Sequence, residues 1–75
     1  MTKQLMNLGF IREHDGWSKS FFKDSGKSVK IELCEDLDSD MLDIYLCNFT
    51  GNCHVGRTKK ITDISRITKA VELLK

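Results

Sequence analysis

Two runs of strict alternation constrain this chain more than any other feature. Val29, Ile31 and Leu33 alternate with Lys30, Glu32 and Cys34, and Leu42, Ile44 and Leu46 alternate with Met41, Asp43, Tyr45 and Cys47. A period of two places each aliphatic set on one side of a strand and each polar set on the other, the pattern of antiparallel strands with one covered and one open face. Something must cover the aliphatic side, and the two ends of the chain supply it. Ile64, Ile67, Val71 and Leu74, flanked by Ala70 and Leu73, form a helical stripe, with Arg66, Lys69, Glu72 and Lys75 facing water. Thr62 or Asp63 is expected to cap this helix.

At the other end, Thr2 caps a short helix that stops at Leu8-Gly9-Phe10. Gly9 takes the left-handed position there and Phe10 folds back towards Leu5. Two turns of helix are unstable alone in water, so Leu5 and Leu8 must dock on the sheet. Between the ends, Asp15-Gly16 is read as a two-residue hairpin turn joining strands over 10–14 and 17–23. Strands over 28–34 and 41–49 follow, and a weaker run over 53–58 is a candidate fifth. The helices span 2–8 and 62–74. The expected fold is a single two-layer α+β domain over 1–75: an antiparallel sheet of four or five strands with both helices on one face.

At 75 residues the chain falls short of two domains and builds only a modest core. No stretch approaches the roughly 20 apolar residues of a membrane span, and the start breaks at Gly9 before an apolar leader run could form. Cys34, Cys47 and Cys53 are an odd set without close pairing, which favours reduced thiols and a cytoplasmic location.

The open face should carry Tyr45, Cys47 and Phe49. Trp17 joins them or turns inward with Phe21, depending on the length of the turn around Asp24-Ser25-Gly26. The burial of large apolar side chains favours the inward placement. A face holding Tyr45, Cys47, Phe49 and a further aromatic is too apolar to be a simple solvated surface and reads as a contact surface.

Twelve basic and eleven acidic residues sum to near neutrality, but their distribution is polar. Residues 35–43 carry five acidic groups and no basic one, while 44–75 carry six basic and two acidic. Asp36-Leu37-Asp38-Ser39-Asp40 has the alternating carboxylates of a calcium loop, yet Met41 and Cys47 stand where the turn glycine and the closing glutamate belong. A solvated acidic turn is the better reading. Arg57, Lys59 and Lys60 precede the last helix and, with Lys69, could engage an anion or a nucleic-acid backbone. No glycine-rich loop accompanies them. Cys53 and His54 are neighbours in a strand and point to opposite faces, which argues against zinc. Neither a third orienting group nor an oxyanion hole accompanies them for catalysis.

These features point away from an enzyme and call for neither cofactor nor metal. They favour a small protein-interaction module whose partner is a second copy of itself or a larger protein, with nucleic acid the less favoured partner and no membrane role. A compact chain without linker or catalytic set also suits an accessory protein of a phage or mobile element.

Overall fold

The computed structural model describes residues 2–22, 28–36, 38–48 and 50–73. Seven elements follow in order: α1 (Thr2–Asn7), β1 (Ile11–Arg12), β2 (Gly16–Phe22), β3 (Ser28–Glu35), β4 (Leu42–Asn48), β5 (Gly51–Thr58) and α2 (Ile61–Leu73). The strands form one antiparallel meander in chain order, β1 and β5 being its edges. Leu5 of α1, and Ile64 and Val71 of α2, join Trp17, Phe21, Ile31, Leu33, Leu42 and Ile44 in one buried cluster, so both helices lie on the aliphatic face. This is the expected two-layer α+β architecture with five strands.

Register explains the core. Ile31 pairs with Leu46 and Leu33 with Ile44, which stacks the two alternating runs face on face. On the other side of β3, Trp17 pairs with Leu33, Lys19 with Ile31 and Phe21 with Val29. Trp17 and Phe21 therefore point under the helices. Trp17 is 6% exposed, so its place among the open-face candidates is corrected. The Asp24-Ser25-Gly26 turn lies outside the described residues, as do Phe49 and Leu74.

The stop of α1 is the Schellman arrangement expected from Leu8-Gly9-Phe10. Gly9 has φ of 95°, its N–H donates to the Met6 carbonyl at 3.0 Å, and the Phe10 N–H reaches back to Leu5 at 3.0 Å. Lys19, on the covered face, then fastens this end. Its ammonium donates to the Leu8 carbonyl at 2.6 Å, lies 3.4 Å from Glu72 of α2, and sits 5.2 Å from the Phe21 ring centroid. A cation satisfies an orphan carbonyl at a helix end while its stem covers apolar surface.

Several boundaries differ from the sequence expectation: β1 is cut from 10–14 to Ile11–Arg12, α1 ends at Asn7, β3 runs on to Glu35 and β4 starts at Leu42. The β1–β2 turn is centred on His14-Asp15, one residue earlier than Asp15-Gly16, and is closed by the Glu13 N–H donating to the Gly16 carbonyl at 2.8 Å. Gly16 belongs to β2 because it packs on β3: a Cβ there would collide with the backbone carbonyl of Leu33. β5 begins at Gly51, with φ of 146°, and not at residue 53. α2 begins at Ile61, where the Lys60 carbonyl accepts from the Asp63 N–H at 3.2 Å. Lys60, not Thr62 or Asp63, thus holds the capping position. Asp63 sits in the first turn, where its carboxylate accepts from the Thr58 hydroxyl at 2.6 Å and complements the helix dipole. Thr58 also accepts from the Lys60 N–H at 3.0 Å.

Among the described residues no helix is long and apolar enough to cross a membrane.

Candidate functional site

The sheet face away from the helices collects the polar half of each alternation. Pairing brings Ser18 opposite Glu32, Glu32 opposite Tyr45, Lys30 opposite Cys47 and Cys34 opposite Asp43. On the β5 side, Tyr45 meets His54, Cys47 meets Asn52 and Asp43 meets Arg57. Ile11 of β1 falls opposite Ser18 and so on this same face. The face therefore has a polar centre, and an exposed aliphatic residue marks each edge of the sheet: Ile11 on β1 and Val55 on β5.

Its cations are paired within the plane. Lys30 donates to Glu32 across 2.7 Å. That hydrogen bond lowers the Glu32 carboxyl below its ordinary value of 4.5 and raises the Lys30 ammonium above 10.5. Arg57 forms an ion pair with Asp36 and lies 3.6 Å from Asp43 through Nε. Asp43 also meets His54 Nε2 at 3.1 Å, and the His54 and Tyr45 rings stand edge to face with centroids 5.1 Å apart. The acidic loop is thereby tied to β5. Within that loop Asp36 accepts from the Asp38 N–H at 2.9 Å and from the Ser39 hydroxyl at 3.2 Å. Its carboxylate is committed to the loop's own shape and to Arg57.

The cysteines divide between the faces. Cys47, opposite Asn52 and Lys30, lies on the open face but is only 7% exposed, with the Lys30–Glu32 pair on the neighbouring strand. As a residue offered to a partner, Cys47 is therefore corrected to a buried one. Burial first, and then the neighbouring Glu32, push its thiol above the ordinary 9.0; Cys34 is raised in the same direction by burial and by Asp15. Cys53 lies opposite Leu46, on the helix-side face, and is exposed. His54 and Cys53 thus point apart, as alternation requires. Tyr45 remains half-exposed on the open face.

The proposed anion candidates do not gather. Arg57 sits on the open face beside its two carboxylates, whereas Lys69 lies on α2, the helix packed on the opposite face. Lys59 and Lys60 are exposed between the two, at a helix start whose local anion is Asp63. A cleft of about 490 Å³ opens among Leu5, Trp17, Asp36, Asp40 and Lys59, and two smaller ones flank the sheet. One, of about 260 Å³, lies under the β1–β2 turn among Glu13, Lys30, Glu32 and Cys34. The other, of about 240 Å³, lies between β5 and α2 over Gly56, with Ile44 as floor and Ile67 and Arg66 as wall.

Sequence reasoning missed two features of this region. One is the bulge between Ile44 and Tyr45 of β4 and the opposite stretch of β5, which leaves Val55 as the extra residue between Gly56 and His54. Gly56 was the available signal, since a glycine inside a strand marks bulges. The other is the Asp36–Arg57–Asp43–His54 chain of polar contacts, which joins segments distant in sequence and leaves no local pattern.

Comparison with protein-family models, curated proteins and solved structures found no match.

Proposed function

We infer that this chain is a protein-binding module whose contact surface is the open sheet face together with its β5 border. The observation that carries the reading is that the cations of this face are paired within its plane, Lys30 with Glu32 and Arg57 with Asp36 and Asp43. A face whose cations are held by a larger number of carboxylates offers little to a polyanion, whose binding depends on free cations. It suits another protein surface, where shape, a half-exposed tyrosine and exposed aliphatic borders such as Ile11 and Val55 supply the contact. Free thiols at Cys34, Cys47 and Cys53 suit a reducing, cytoplasmic setting for that contact.

Affinity capture from an extract of the source cells tests the reading, with Tyr45→Ser/Val55→Glu as the paired variant. The wild-type chain should retain a polypeptide, or a second copy of itself, that the variant loses. Both should melt within about 1 kcal/mol of one another, as surface substitutions do. Retention of nucleic acid, released by moderate salt and abolished by Lys59→Ala/Lys60→Ala/Lys69→Ala, would replace this reading with the nucleic-acid one.

A further inference from the structure

We propose that β5 pairs antiparallel with β5 of a second copy about a two-fold axis between His54 and Val55, joining two five-stranded sheets into one of ten strands. The inference rests on the protein-binding reading and names its partner and register. An edge strand presents a row of backbone donors and acceptors with no neighbour, a template for another strand. β1 is too short to serve, with two residues against eight in β5. β5 also carries few of the usual guards: Gly51–Thr58 contains neither proline nor lysine, and its one strong charge, Arg57, is held by Asp36 and Asp43.

The remaining guard, the bulge, sets the register. A regular eight-residue strand laid fully over its own antiparallel copy pairs first with eighth, second with seventh, and so opposes residues of opposite faces. The extra residue at Val55 removes that conflict. Gly51, Cys53, Gly56 and Thr58 stand opposite Asn48, Leu46, Ile44 and Leu42 on the helix side, while Asn52, His54 and Arg57 stand opposite Cys47, Tyr45 and Asp43 on the open side. Full overlap then pairs Gly51 with Thr58, Asn52 with Arg57 and Cys53 with Gly56, each on a common face, and brings His54 against Val55. No like charges meet. A slip that puts His54 on the axis would oppose two imidazoles.

The side chains fit the same register. The exposed Cys53 of each copy comes opposite Gly56 of the other, where a Cβ would meet nothing within 4 Å and the cleft of about 240 Å³ beside Ile44 and Ile67 lies open. A two-fold contact needs such a patch that is complementary to itself. Strand pairing alone buries less than the roughly 1,200 Å² of a standard interface, so the dimer is weak and concentration-dependent.

Disulfide trapping at high protein concentration tests this. Directly opposed residues have Cα atoms about 4.5–5.5 Å apart, within reach of a disulfide. Mild oxidation of Gly56→Cys should give a covalent dimer whose peptide map links Cys53 to the introduced thiol at position 56, and Gly56→Cys/Cys53→Ser should lose that link. As a second measurement, Val55→Lys should weaken wild-type self-association in sedimentation by roughly tenfold, since an edge lysine blocks pairing. Covalent dimers linked elsewhere in equal yield would overturn the register. A wild-type chain that stays monomeric at the highest concentration, with no trapping, would overturn the second copy as partner. Capture of another polypeptide through Tyr45 and Val55 would still uphold the protein-binding reading.

Discussion

Two glycines of one sheet carry opposite demands. Gly16 lies against β3 so closely that a methyl group would meet the Leu33 carbonyl, while a methyl on Gly56 would meet nothing. Gly16→Ala should therefore cost about 2 kcal/mol or more in chemical denaturation, through forced separation of β2 from β3. Gly56→Ala, measured at a concentration where the chain is monomeric, should be neutral or gain several tenths of a kcal/mol by restricting the unfolded chain. The Lys30–Glu32 pair makes a different prediction. Glu32 is depressed, so its contribution is present above its unfolded pKa of about 4.5 and is lost as pH falls through the lower folded value. Lys30 is raised, so its contribution is complete below about 10.5 and is lost as pH rises through the higher folded value. Both groups are partly exposed, which limits the pair to under about 1 kcal/mol. Glu32→Gln should remove that much at neutral pH and flatten stability against pH below about 4.5, as followed by urea titration at several pH values. The thiols divide as well. Iodoacetamide near neutral pH should label the exposed Cys53 first in dilute protein, because burial holds Cys34 and Cys47 protonated.

Each helix is fastened at one end by local chemistry and along one stripe by the sheet. Gly9→Ala would place a side chain at φ of 95° and press on the Lys19 stem, so a loss of about 1 kcal/mol is expected in thermal or urea unfolding. Thr58→Ala removes the hydroxyl that joins Asp63 to the Lys60 amide and should cost about 1 kcal/mol, comparable to loss of a helix cap. These elements also mark what was legible beforehand. The alternation of β3 and β4, the glycine stop of α1 and, in α2, the stripe of Ile64, Ile67 and Val71 are local patterns, and each appears where its period placed it, whereas Ala70 and Leu73, expected to flank that stripe, are exposed. The inward side of Trp17 depended on a turn length that local residues do not determine, although burial preference pointed the right way. Thr68, buried and donating to the Ile64 carbonyl at 2.8 Å, broke the expected apolar stripe because its hydroxyl is satisfied within the helix. Leu73 lies 86% exposed, because two residues past Val71 is about 200° round the helix, on the side away from the buried stripe. The contact face was legible only in outline: Tyr45 is where alternation puts it, but the in-plane ion pairs depend on register between strands.

At the scale of the whole molecule, the acidic loop and the basic residues that flank it in sequence are not two free poles. Arg57 draws Asp36 and Asp43 to the β5 side, leaving a sheet whose open face holds its cations in ion pairs and whose long edge is nearly unguarded. A chain of this size gains stability most readily by completing its burial against another chain. The most direct test is a concentration series of amide NMR spectra on the uniformly labelled wild-type chain. Amides of Gly51–Thr58 and of their neighbours on β4 should shift and gain exchange protection together as concentration rises, while those of α1 and of the outer side of α2 at Lys69 and Leu73 stay fixed. Concentration-dependent shifts centred on α2, with β5 unmoved, would contradict the account.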